Sequence, residues 1–93
     1  MTDTTTTDLT TPDRVTMYGA DWCHDCRRTE ALLDSLDVPW TKIDIETSAE
    51  AADAARAISG RTSIPVVVFP DGTHQVEPSD IAVRDKLAAL AAK

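Results

Sequence analysis

Aromatic side chains are scarce in this sequence of 93 residues: two Trp, one Tyr and one Phe, 4% of the chain. Leu, Ile, Val and Ala must therefore fill its core, and an apolar content of 42% suffices for one compact domain. Basic residues are also few, nine Lys and Arg against sixteen Asp and Glu, for a net charge of −7. So acidic a surface repels a phosphate backbone, which argues against a nucleic-acid partner. No apolar run approaches the ~20 residues that cross a bilayer, and the first residues lack the basic and apolar segments of a secretory signal. The expectation is a soluble, cytoplasmic protein without membrane contact. Cysteine occurs only as Cys23 and Cys26. Small secreted domains held by disulfides carry more cysteines at wider spacing, and a bridge closing so short a loop constrains the unfolded chain little. Stapling does not explain the pair.

Residues 1–13, MTDTTTTDLTTPD, are Thr and Asp with one Leu and have no face to bury, so they are expected to be a disordered tail before a single domain at 14–93. Val15-Thr16-Met17-Tyr18 is β-prone and Gly19 ends it. From His24 to Leu36, the residues Thr29, Leu32, Leu33 and Leu36 recur at helical spacing, and Val38-Pro39 breaks the pattern. Trp40 to Ile45 alternates apolar and polar, as a half-buried strand does. Thr47-Ser48-Ala49-Glu50 reads as a capping box, with Thr47 the cap of an Ala-rich helix closed by Ser59-Gly60. Val66 to Phe69 is an unbroken apolar strand, and Asp71-Gly72 predicts a tight hairpin into a strand through Gln75-Val76. Pro78-Ser79-Asp80 opens a last helix whose buried side is expected to be Ile81, Val83, Leu87 and Leu90. The order β-α-β-α-β-β-α predicts an α/β fold, a four-stranded mixed sheet flanked by three helices.

The chemistry gathers at Cys23-His24-Asp25-Cys26, where the first strand hands over to the first helix. Unpaired N–H groups and the positive end of the helix dipole favour a thiolate at Cys23, and the thiolate is the reactive form. Cys26, one turn on, faces Cys23 within reach of a disulfide. The roles that follow are Cys23 as nucleophile and Cys26 as resolving thiol. His24, when protonated, would support the thiolate and Asp25 would oppose it. A zinc site would need four ligands, and beyond the cysteines only His24 and His74 are at hand, one turned away by the helix and one in the hairpin. No metal is expected there, although an iron–sulfur cluster bridging two chains uses the same thiols. Ser63-Ile64-Pro65 precedes the third strand; Pro65 is either a structural strand opener or a cis-proline that exposes the Ile64 backbone to an extended substrate.

With strand–Trp22-Cys23-x-x-Cys26–helix, Asp44-Ile45-Glu46 and Ser63-Ile64-Pro65 in place, the sequence resembles the glutaredoxin-like branch of the thioredoxin superfamily, and within it the mycoredoxins. The resemblance spans about residues 14–92 and includes Arg61-Thr62, Phe69-Pro70-Asp71-Gly72-Thr73 and Pro78-Ser79. It implies a thioredoxin-like fold, a cis Pro65, no prosthetic cofactor, and a monomer that reduces mixed disulfides between S-thiolated proteins and a low-molecular-weight thiol. Glutaredoxins that use glutathione have a Lys before the first Cys, Pro-Tyr between the cysteines and Gly-Gly before the last helix. Here those places hold Ala20-Asp21, His24-Asp25 and Val76-Glu77, which points to another thiol, and the resemblance names mycothiol. Mycoredoxins carry Gly-Tyr between their cysteines, so His24-Asp25 departs from that pattern too. The implied substrate groove is Trp22, His24, Asp25, Ile64, Pro65, Ser79 and Asp80. Trp22 either lines it or packs on the sheet, and Ser79 and Asp80 either bind the thiol or serve the last helix as its cap and first-turn acid. Two other functions fit the same cysteines: a redoxin that feeds ribonucleotide reductase and is reduced by a flavoprotein reductase, and a carrier of a metal or cluster.

Overall fold

The computed structural model describes residues 13–92, so the tail expected over 1–13 lies, Asp13 apart, outside the described residues. The elements are β1 (Val15–Gly19), α1 (His24–Ser35), β2 (Trp40–Asp44), α2 (Ala49–Ser59), β3 (Val66–Val68), β4 (His74–Val76) and α3 (Asp80–Ala91). They form one four-stranded sheet in the order β2-β1-β3-β4. β2 lies parallel to β1, with Val15 opposite Trp40, because α1 carries the chain back across the sheet. β3 runs antiparallel to β1, with Met17 opposite Val67, and β4 antiparallel to β3.

The unbroken valine run follows from burial on both faces. Val67 joins Met17, Leu33, Phe69 and Val83 on the face covered by α1 and α3. Val66 and Val68 point the other way, onto Ala55 of α2. The result is three layers around a sheet, and both cysteines belong to the α1/α3 side of the core.

Local chemistry sets the ends of these elements. Asp37 (φ 61) leaves α1 in the left-handed region, its N–H donating to the Asp34 carbonyl and that of Val38 to Leu33. This reciprocal closure satisfies the last carbonyls, so α1 is finished before Pro39 is reached. Leu36, expected on the buried face, is the C-cap and 37% exposed: it lies past the last turn that overlies the sheet. The cap of α2 is Ser48, whose Oγ accepts from Ala51 N–H at 3.2 Å. Thr47 is taken instead by the preceding turn, where its hydroxyl donates to the Asp44 carbonyl at 2.9 Å, so the Thr47–Glu50 capping box does not form. Gly60 (φ 76) closes α2 as expected.

β2 stops at Asp44 rather than Ile45 because the Asp44 side chain accepts from Glu46 N–H at 2.7 Å and turns the chain. β3 stops at Val68, one residue early. The hairpin loop is Pro70-Asp71-Gly72, one residue longer than an Asp-Gly pair: Phe69 O accepts from Gly72 N–H at 2.9 Å, and Phe69 N–H donates to Thr73 O at 2.8 Å. Gly72 (φ 89) takes the left-handed position this loop requires. On α3, Val83 is fully buried and Leu87 and Leu90 pack against the core. Ile81 is 70% exposed, because the first turn of α3 projects beyond the sheet.

Candidate active site

β1 ends in a loop that has almost no slack. The Cys23 N–H donates to the Ala20 carbonyl at 3.2 Å, turning the chain over Asp21 and Trp22 so that Cys23 becomes the N-cap of α1. The loop is tied from the β2 edge by Lys42, which contacts Asp21 at 2.5 Å and Glu30 of α1 at 3.0 Å. Each partner stabilises the charge of the other: Asp21 is held below the ordinary carboxylate range and Lys42 above that of a free amine, in both cases first by their hydrogen bond. Trp22 is 65% exposed and its indole N–H donates to Glu46 at 3.1 Å. It therefore stands over the site rather than packing on the sheet.

The two thiols are close neighbours in unlike surroundings. Cys23 Sγ accepts the Cys26 backbone N–H at 3.2 Å, one of the helix's otherwise unpaired donors, and lies 4.0 Å from the Ile64 carbonyl. A donated N–H at a helix N-terminus stabilises negative charge on that sulfur. Cys26 is fully buried one turn below. Loss of hydration first, and its contact with Cys23 second, push the Cys26 thiol up to about 12. Space for it comes from Gly19: a β-carbon there would fall 2.9 Å from Cys26 Sγ and 3.0 Å from Met17 Cε.

A shallow groove of about 400 Å³ opens beside Cys23. On one side it is lined by Trp22, His24 and Asp25, and on the other by Thr62, Ser63, Ile64 and Glu77. The Ile64–Pro65 peptide is cis, and Pro65 is buried against the core. The Pro65 carbonyl accepts the Glu77 N–H at 2.8 Å, extending the β3–β4 ladder and bringing Glu77 alongside the proline. Glu77 has φ 48, a left-handed conformation unusual for a residue other than Gly, Asn or Asp.

Of the residues expected around the thiols, Trp22, His24, Asp25 and Ile64 line this groove, and Pro65 sits beneath it. Ser79 and Asp80 fall outside its lining. Ser79 is the N-cap of α3, accepting Ala82 N–H at 3.1 Å, and Asp80 contacts Arg28 at 3.7 Å. Arg28 also reaches Asp25 at 3.5 Å and donates to the Pro78 carbonyl at 3.3 Å, joining α1 to the segment ahead of α3. Thr62, Ser63 and Glu77 are the groove residues that the sequence reading missed. Their signal was the Ser63-Ile64-Pro65 triplet for the first two and the strand register for Glu77. Among the described residues, no three His, Cys, Asp or Glu side chains converge as a metal site, and His74 lies on β4, paired with Val68.

The glutaredoxin family model matches residues 15–75. Mycoredoxin 1 of Corynebacterium glutamicum is 37% identical over 79 residues, which are 83% of this chain and 96% of that protein. Among solved structures, the glutaredoxin of Archaeoglobus fulgidus superimposes with a TM-score of 0.71 at 28% identity, covering 78% of this chain and 84% of that one. The glutaredoxin of Methanosarcina mazei gives 0.70 at 25% identity, covering 80% and 77%. The expected thioredoxin-like architecture, with its strand and helix order, is thus the observed one. The chain belongs to the glutaredoxin family and is a thiol–disulfide oxidoreductase.

Proposed function

We propose that the chain reduces mixed disulfides between proteins and mycothiol, with Cys23 as nucleophile and Cys26 as an auxiliary thiol. The observation that carries this reading is the inequality of the two sulfurs: Cys23 opens on the groove and receives an N–H, whereas Cys26 is fully buried behind it. The Cys23 thiolate attacks the mycothiol sulfur of the mixed disulfide. A new S–S bond forms to Cys23, the old one breaks, and the protein sulfur leaves with the electron pair and takes up a proton. A second mycothiol then attacks the mycothiol sulfur held on Cys23, releasing mycothiol disulfide and restoring the thiolate.

In the alternative closure, Cys26 attacks Cys23 and expels mycothiol, leaving an internal disulfide. That step must first remove a proton from a desolvated thiol. Once Cys23 is bonded to mycothiol its charge no longer opposes this, but the larger cause, burial, remains. The route through a second small thiol is therefore the faster one. The Ile64 backbone and the cis Pro65 supply an extended edge for the substrate, and Trp22 covers its open side. Mycothiol is supported by the likeness to mycoredoxin 1 and by the absence of the Lys, Pro-Tyr and Gly-Gly positions of glutathione-using relatives. The protein is read as a cytoplasmic monomer without a prosthetic group; among the described residues no helix is long and apolar enough to cross a membrane.

Turnover of a mycothiolated peptide, supplied with mycothiol and its reductase or with thioredoxin reductase, tests the assignment. Turnover with the mycothiol system is expected. Turnover with thioredoxin reductase alone would assign the chain to the redoxins served by that flavoprotein.

A further inference from the structure

The groove has a one-sided electrostatic character that the reaction itself does not require. Two carboxylates line it, and no Lys or Arg is among its lining residues. The two acids are not equivalent. Asp25 is paired with Arg28, whereas Glu77 has no ion-pair partner among the described residues. Glu77 is also held in place. Its N–H is bonded to the Pro65 carbonyl at 2.8 Å, its φ is 48, and Arg28 anchors the carbonyl of the next residue at 3.3 Å. A left-handed backbone is costly for a Glu, and such conformations persist at binding clefts where the surroundings fix them. A glycine would sit here without strain, so the side chain is retained against a backbone preference.

We infer that Glu77 is a specificity-determining residue, whose carboxylate turns away thiols that carry a carboxylate near their cysteine and favours uncharged, hydroxyl-bearing ones. This rests on the groove beside Cys23 being the thiol site. Selection of this kind needs no tighter fit to the right partner: an unpaired like charge against the wrong one is enough. The carboxylate can in addition accept hydrogen bonds from ligand hydroxyls, alongside Thr62 and Ser63 on the same wall. Glu77 is solvent-exposed, so the repulsion is that of charges about 5 Å apart in a watery medium, a discrimination of roughly three- to tenfold.

The test uses two mixed disulfides of a single cysteine peptide, one with N-acetylcysteine and one with N-acetylcysteine amide, which differ only in a carboxylate. The wild-type chain should turn over the amide with the higher kcat/KM, and added salt should shrink the ratio. In Glu77→Gln the ratio should fall toward one, chiefly because the acid is used better. Glu77→Asn, which suits the left-handed backbone, should do the same and serves if the Gln variant folds poorly. Equal use of both probes by the wild type, or an unchanged ratio in the variants, would overturn the role of Glu77 alone. Turnover of neither probe by the wild type would overturn the reading of the groove and this inference with it.

Discussion

Two junctions approach the groove from opposite sides and are built on opposite principles. From Gly19 to Cys26 the chain is tightly packed: Ala20 and Cys26 are fully buried, Cys23 is nearly so, and Gly19 has no room for a methyl group. From Val76 to Ile81 it is open: Glu77 and Ser79 are exposed, and Ile81 projects into solvent. The first junction sets where two sulfurs stand relative to a helix N-terminus, and tenths of an ångström matter there. The second presents side chains to whatever arrives. Reactivity is thus fixed by packing on one side, while selectivity is left to exposed side chains on the other.

This contrast can be broken at graded points. Cys23→Ser removes the sulfur that reaches the groove and should abolish turnover of any mixed disulfide while leaving the fold intact, as read by activity and circular dichroism. Gly19→Ala overpacks the site against Cys26 and should cost about 1–3 kcal/mol in denaturant unfolding. If the clash is the cause, adding Cys26→Ala should recover part of that loss, and additive losses would argue otherwise. At the open junction, Ser79→Ala should cost about 1 kcal/mol through the lost cap. Ile81→Ser should change stability by no more than about 0.5 kcal/mol, since its side chain is already in water.

Alkaline pH separates the junctions in another way. Cys26 is an acid whose folded pKa is raised, so the native state keeps its proton after the unfolded chain has lost it. Stability of the reduced protein should be complete below the ordinary thiol range and decline from about pH 9 upward, by up to ~1.4 kcal/mol per pH unit, until the folded thiol ionises near 12. Cys26→Ala should flatten that slope, and Ser79→Ala should leave it unchanged. Equilibrium unfolding across this pH range reads both.

The fold was legible because each apolar segment is punctuated by a residue with a local reason to stop: Gly19, Pro39, Gly60 and Gly72. The strand-to-helix position of the cysteines was legible for the same reason. Choices between adjacent groups of equal competence were not. Thr47 and Ser48 can both cap a helix, and which one does was decided by the Asp44 carbonyl capturing the other. Leu36 and Ile81 have the right periodicity but lie where their helices overrun the sheet, a length that periodicity does not report. Glu77 was the hardest to see. Its place in the groove comes from the pairing of β4 with β3 and the bond to Pro65, and a Glu gives no local sign of a left-handed backbone.

The central claim is that the cysteines are unequal, and the most direct measurement is the fate of each when the other is absent. Cys26→Ser and Cys23→Ser, each mixed with a mycothiolated peptide, would be read by intact mass and by turnover with mycothiol and its reductase. Cys26→Ser is predicted to form a mycothiol adduct on Cys23 and to retain turnover, whereas Cys23→Ser forms none. An adduct on Cys26 in Cys23→Ser, or a Cys26→Ser protein as inactive as Cys23→Ser, would contradict the account.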